Sequence, residues 1–174
     1  MAPFNCVYDY QFSAEATGEP VTLEEVKEWL RIDIDEDDDL VTSLITAARV
    51  TLEHYLNQSL IKRTVTTVIN NSCGNQFLPF QPFDELISIS DCSGDSIAEG
   101  SYTLIGNQFK RLVDPCEDNI TLVYTTGLDE ISQALKTGIK QQVAFMYENR
   151  GDDTKDIYTA VSPMVKSILK SYRR

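Results

Sequence analysis

A chain of 174 residues with 42% apolar content can bury a sizeable core in one domain, or in one domain with a small appendage, and has the composition of a folded globular protein. Its 27 acidic and 15 basic residues leave a net charge of −12, which disfavours any surface that binds duplex DNA by neutralising phosphates. Cys6, Cys73, Cys92 and Cys116 are far apart with no C-x-x-C pair, and His54 is the one histidine, so zinc has too few closely spaced ligands and free thiols in a reducing cytosol are expected.

No run has the length of a bilayer-spanning helix, and "MAPFNCVYDY" lacks the basic and apolar regions of a signal peptide, so the expectation is a protein made and used in the cytoplasm. After a short opening segment, "PVTLEEVKEWLRI" carries a helix start. Thr22 and Glu25 have capping-box spacing and Val21 and Val26 have hydrophobic-staple spacing, which puts the N-cap at Thr22. Leu23, Val26 and Leu30 form the apolar stripe, widened by Trp29 and Ile32.

The run "DIDEDDD" then concentrates Asp33, Asp35, Glu36, Asp37, Asp38 and Asp39 ahead of a second helix over Leu40 to Leu56. At about 100° per residue, Leu40, Val41, Leu44, Ile45, Ala48, Leu52, Tyr55 and Leu56 share one arc; Thr42, Ser43, Thr46, Arg49, Glu53 and His54 lie opposite, on a face expected to be solvated. The acidic cluster sits where unpaired N–H groups and the helix dipole favour carboxylates, and Asp35 is the expected N-cap. A calcium loop begun at Asp33 would need glycine at Asp38 and a bidentate glutamate at Leu44, so the cluster reads as helix capping plus solvation rather than a metal site.

From Ser59 to Thr126 the texture changes to β-prone segments: "IKRTVTTVI", "ELISISD", "SYTLI", "QFKRLV" and "NITLVYT", with turns at "CSGD" and "GN". Phe77, Phe80 and Phe83 with Pro79 and Pro82 mark an irregular apolar crossing. Helical periodicity returns in "DEISQALKTGIKQQVAFMYENRGD", where Ile131, Leu135, Ile139, Val143, Met146 and Tyr147 form one face and Gly151 is a natural C-cap. A second face, Ala134, Gly138 and Phe145, admits close approach by another element, either within the chain or from a neighbouring subunit.

Residues 152–161 are polar and acidic and read as a joint. Ser162 and Pro163 then suit N-cap and N1 of a last helix, "SPMVKSILKSYRR", with Val165, Ile168, Leu169 and Tyr172 at helical spacing. Its Lys166, Lys170, Arg173 and Arg174 reverse the charge of the rest of the chain. Such a helix either docks on another protein or covers its own bundle.

The chemistry of catalysis is not legible. One histidine on a helix face supports no Ser-His-Asp or Cys-His arrangement, "GNQFKR" and "CGNQF" are turns rather than phosphate cradles, and carboxylate pairs drawn from 27 acids carry no specificity. The expectation is therefore a non-enzymatic protein with no catalytic, cofactor-binding or metal-binding residues.

Three segments in order, "PVTLEEVKEWLRIDIDEDDDLVTSLITAARVTLEHYL", "ITLVYTTGL" leading into "LKTGIKQQVAFMYENRGD", and "VSPMVKSILKSYRR", resemble the head–tail connector, or adaptor, proteins of tailed bacteriophages. The resemblance implies an α+β fold: a helical bundle with a small antiparallel β-sheet region inserted between the second and third helices, plus a C-terminal helix on a tether. The connector core would span residues 1–151, with helices at about 22–57 and 129–150 and the β region at about 59–126, and residues 152–174 would be a flexible joint and docking helix.

It further implies a structural virion protein at the head–tail interface, assembled in the host cytoplasm, without cofactor or catalytic residues. Copies would form a homo-oligomeric ring, typically twelve-fold, beneath the portal protein, and meet a tail-side stopper or tail completion protein. DNA would pass through the channel without specific binding. Portal-docking candidates are Val165, Ile168, Leu169, Tyr172, Arg173 and Arg174; subunit-contact candidates are Ala134, Gly138 and Phe145. The region from Ser72 to Cys116 departs from the resemblance except in strand texture. The main alternative is an acidic DNA mimic that occupies a nucleic-acid-binding enzyme, and a metal-dependent nuclease is the enzymatic one.

Overall fold

Local capping signals start three of the four described helices. In the computed structural model, which describes residues 7–12, 18–70, 75–113, 119–150 and 160–172, α1 (Leu23–Leu30) opens on a capping box: Thr22 Oγ1 accepts from the Glu25 amide at 3.2 Å and Glu25 returns a bond to the Thr22 amide at 3.3 Å. It ends at Arg31, which takes the left-handed conformation at φ 59°. Helix α2 (Asp38–Leu56) ends in the same way on Asn57. Ser132 caps α3 (Gln133–Glu148) through the Leu135 amide, and Ser162 with Pro163 at the first turn starts α4 (Pro163–Ile168).

The helices belong to one compact unit, residues 18–60 and 130–174. Within it α2 packs on α1 and α3, α1 also meets α3, and α3 carries α4. Val26, Val41, Leu44, Ala48, Leu52, Leu56, Leu135, Ile139, Val143 and Met146 are all buried. Fully burying side chains of this kind stabilises a fold by roughly 1.5–3 kcal/mol each before chain entropy is set against it.

The other unit, residues 1–17 and 61–129, is all β. Its larger sheet has the order β1 (Val7–Phe12), β2 (Arg63–Asn70), β7 (Asn119–Thr126), β4 (Phe83–Asp91), antiparallel throughout. Strands β2 and β7 pair without interruption from Arg63↔Thr126 to Asn70↔Asn119, and alternate residues of each are buried, as a half-buried strand requires. Both edge strands carry register shifts, which interrupt the row of unpaired backbone groups an edge otherwise offers. A second sheet of three short strands, β3 (Asn75–Phe77), β6 (Arg111–Val113) and β5 (Thr103–Ile105), adds Leu112 to a core of Val65, Ile69, Leu78, Phe83, Ile89, Ile120, Leu122 and Tyr124.

The irregular crossing around Pro79 and Pro82 leaves carbonyls that no ladder satisfies, and β7 supplies hydroxyls to them. Tyr124 donates its phenol to the Pro79 carbonyl at 2.6 Å, and Thr126 Oγ1 lies against the Phe80 and Pro82 carbonyls. Gln81 donates to the carbonyls of Leu78 and Lys110.

The fold is thus α+β with antiparallel sheets. Two strands differ from expectation: β1 lies in the opening segment, and β3 occupies part of the crossing. Each is readable only through its partner, β2 for the first and β6 for the second. Helix α2 begins two residues earlier than its apolar arc, and α3 begins at Gln133, capped by Ser132, rather than at Asp129 and reaches its C-cap at Asn149. Gly151, residues 152–159 of the expected joint (152–161) and Cys6, Cys73 and Cys116 fall outside the described residues; Cys92 is exposed.

At the end of β7 the chain turns at Gly127, where φ is 131° and an added Cβ would sit 2.5 Å from the Ile61 carbonyl oxygen. Backbone on the other side cannot yield as a flexible side chain could. Gly127→Ala is therefore expected to destabilise the protein by at least about 2 kcal/mol, read as a lower urea midpoint with an unchanged slope.

Candidate functional site

The acidic run is built into a bend between α1 and α2. Lys27, near the end of α1, reaches Asp35 at 2.8 Å and Asp38 at 2.6 Å, and Tyr147 of α3 donates its phenol to Asp37 at 2.5 Å. Asp37, not Asp35, is the N-cap of α2; its backbone is not in the extended conformation usual for a cap, its side chain makes no capping bond, and its carboxylate accepts from Tyr147 instead. Asp38 and Asp39 fill the first turn, where the dipole favours them. The hydrogen bonds from Lys27 hold the Asp35 carboxyl below its ordinary range, and those to Asp35 and Asp38 raise the Lys27 ammonium above its own. Asp33 and Glu36 remain exposed at the outside of the bend. Among the described residues no group of three or more His, Cys, Asp or Glu is placed to hold a metal ion.

A second charged group is not on the surface at all. Arg49 and Glu53, expected on the solvated face of α2, are 5% and 1% exposed. Arg49 donates to Glu53 at 2.9 Å and, through Nε, to Glu19 at 2.8 Å, while the other Glu53 oxygen accepts from the Leu60 amide at 2.8 Å. Thr46 adds a 3.0 Å hydrogen bond to Glu19. The helical period correctly places these side chains opposite the apolar arc. What covers them is the chain before α1 and after α2, which the period does not register.

The terminal helix is fastened to its own unit. Val165 and Leu169 are fully buried, and the Leu169 methyls lie where a Cβ on Gly138 would be, 3.2 Å away. Gln142, itself buried on α3, donates to the Ala160 carbonyl at 2.9 Å and accepts from the Ser162 amide at 3.0 Å. Tyr172 is held by Ser132 through its hydroxyl at 3.0 Å and by Gln58 at its carbonyl at 2.8 Å. Val165 and Leu169 are thus spent within the chain in this conformation, Ile168 and Tyr172 are half-buried, and Arg173 and Arg174 lie outside the described residues. Met164, Lys166 and Lys170 remain on the exposed side.

Of the second face of α3, Gly138 is covered by α4, and Ala134 and Phe145 are half-buried. Other exposed large apolar side chains are Trp29, Ile34 and Val50 in the helical unit and Tyr10, Phe77, Ile87 and Ile105 in the β unit, with Lys140 placed 5.5 Å from the Trp29 ring. A cleft of about 220 Å³ lined by Glu19, Val21, Thr22, Leu23, Thr42 and Ile45 is smaller than the usual pocket for a small-molecule ligand. No described helix is long and apolar enough to cross a membrane. The arrangement offers surfaces: a carboxylate-rich bend, a basic outer face on α4 and isolated apolar side chains among polar ones.

The family described as phage gp6-like head-tail connector protein matches residues 20–89, less than half of the chain. No curated protein sequence matches it. Similar solved structures include a chain in the "Neck of empty GTA particle computed with C6 symmetry", with a TM-score of 0.74, 17% identity and 95% of each chain covered. Another is in the "Virion of native gene transfer agent (GTA) particle", at 0.75, 18% and 94% of each chain. A third is in the "Neck of native GTA particle computed with C12 symmetry", at 0.72, 16% and 95% of each. At these identities the likeness is one of fold.

Removing Glu53 takes from the buried Arg49 one of its two carboxylates and orphans the buried Leu60 amide. Glu53→Ala is therefore expected to cost about 3–5 kcal/mol, read by chemical denaturation, and a paired Arg49→Met, Glu53→Met exchange, which leaves the Leu60 amide unsatisfied and Glu19 unpaired, is not expected to restore wild-type stability. The bend makes a separate prediction about pH. Because the folded Asp35 carboxyl is depressed, its contribution is complete above the ordinary aspartate range and is lost as pH falls through the folded value. Denaturation midpoints of wild type and Lys27→Met should therefore differ at neutral pH and converge in acid below that range.

Proposed function

We propose that this chain, a relative of the head–tail connector proteins over residues 20–89, is a structural protein of the neck of a tailed virion-like particle. The reading rests first on one observation: the fold follows chains from particle necks over 95% of both lengths, so the likeness is not confined to one common motif. Its role is to join the DNA-filled head to the tail by assembling copies into a ring under the portal, twelve-fold in keeping with the C12 symmetry of one similar neck structure. A ring closes through a heterologous contact, one face of a subunit against a different face of the next. Its tail side then carries a stopper or tail completion protein.

The charge suits such a passage. A channel built from chains of net charge −12 has no excess of cations to hold phosphates, so DNA slides through instead of binding, whereas lysine-rich walls would make movement depend steeply on salt. Such work requires shape and contact and needs no catalytic residue or cofactor. A DNA mimic would spread its carboxylates like phosphates across one face; here Asp35, Asp37 and Asp38 are engaged by Lys27 and Tyr147 at a single bend.

The portal contact falls to the outer face of α4 and the turn after it, namely Lys166 and Lys170 with Met164 and the half-buried Ile168 and Tyr172; the other two candidates, Arg173 and Arg174, are outside the described residues. Val165 and Leu169 support it from beneath by fixing α4 on α3. Adding purified chain to heads made without it should restore tail joining. Lys166→Glu with Lys170→Glu, which touches no buried contact, should reduce head binding at least about tenfold. Heads that take tails equally well without the chain would refute the reading.

A further inference from the structure

The small sheet turns one face into the core and leaves the other bare. Gln76 and Leu112 are buried, with Leu104 packed against the core. The opposite side carries Phe77, Arg111 and Ile105 in one register row across three strands. Phe77 is 45% and Ile105 54% exposed, and the Arg111 guanidinium stands 4.3 Å over the Phe77 ring. Arg111 has no carboxylate partner among the described residues. A cation flattened on an aromatic ring between two exposed apolar side chains is the composition found at protein interfaces, where Arg and aromatic residues are enriched.

On a chain of net charge −12, two copies repel unless a contact sets a cation against an acid. The complement to this row lies in the helical unit. Ile34 is 55% exposed and is flanked by exposed Asp33, Asp35 and Glu36; Asp35 is engaged by Lys27, whereas Asp33 and Glu36 make no ion pair among the described residues. An exposed apolar side chain set among unspent carboxylates matches an exposed cation set among apolar side chains, in both charge and polarity.

We infer that the Phe77–Arg111–Ile105 row receives residues 33–36 of a second copy of this chain, with Ile34 against Phe77 and Ile105 and with Asp33 or Glu36 on the Arg111 guanidinium. The two faces differ, so the contact is heterologous and propagates around an axis. This inference rests on the ring reading above and supplies its subunit contact. It also gives a use to the acids that exceed what the start of α2 requires.

The test is sedimentation of the full chain over a range of concentrations, with circular dichroism to confirm folding. Wild type should self-associate. Arg111→Glu alone, and Asp33→Lys with Glu36→Lys alone, should each weaken association at least about tenfold. An equal mixture of the two variants should recover assembly, because every contact in an alternating assembly then sets opposite charges together, and so should a chain carrying all three changes. Phe77→Ser should weaken association without altering charge. Wild-type-like assembly by Arg111→Glu, no recovery in the mixture, or a wild-type chain that stays monomeric at every concentration would overturn the inference. Tail joining by the same chains is scored separately, so loss of this contact is distinguishable from loss of the neck role.

Discussion

The buried ion group on α2 is the constraint on which the helical unit depends. Glu19 precedes α1 and Leu60 follows α2, and these are the places where the chain arrives in that unit and leaves it. Arg49 holds the first through Glu19, and Glu53 holds the second through the Leu60 amide. Desolvating a guanidinium and a carboxylate costs several kcal/mol per ion. That cost is offset here by paired geometry and by satisfying a backbone N–H that would otherwise be orphaned. The gain is one of position more than net stability: the same two side chains fix both crossing points on one helix.

The remaining helices are set on that frame by the same pattern of single polar groups reaching across. Lys27 and Tyr147 fasten the acidic bend to α1 and α3, and Gln142 fastens the start of α4. For a structural component this is the property required. In the docking role proposed above, contacts with Gly138, Gln142 and Gln58 leave the terminal helix less side-chain and backbone freedom to lose on binding than a free tail would have.

Much of this was legible because some signals are local. Thr22 with Glu25, and Ser162 with Pro163, fix helix starts through atoms three residues away or fewer, and the alternation in β2 and β7 is carried within each strand. The apolar arc of α2 is likewise a property of one helix. What escaped is set by distant partners. Arg49 and Glu53 read as surface because Glu19 lies 30 residues before Arg49. The N-cap of α2 is Asp37 rather than Asp35, and Asp35 instead pairs with Lys27 on the previous helix. Strand β1 pairs with residues more than fifty positions later. The exposed row of Phe77, Arg111 and Ile105 comes from three short strands whose order no single segment encodes. The basic last helix stood equally for docking outward and for covering its own bundle; Val165 and Leu169 are committed inward, and only the outer face is left for a partner.

The most direct measurement is an averaged electron-microscopy map of the collar of intact particles, with this fold fitted as rigid helical and β units. The account predicts a closed ring of copies between the portal and the tail, α4 facing the portal and residues 33–36 of each copy against the small sheet of the next. A collar whose density is filled by other chains, with this protein absent from the particle, would contradict it.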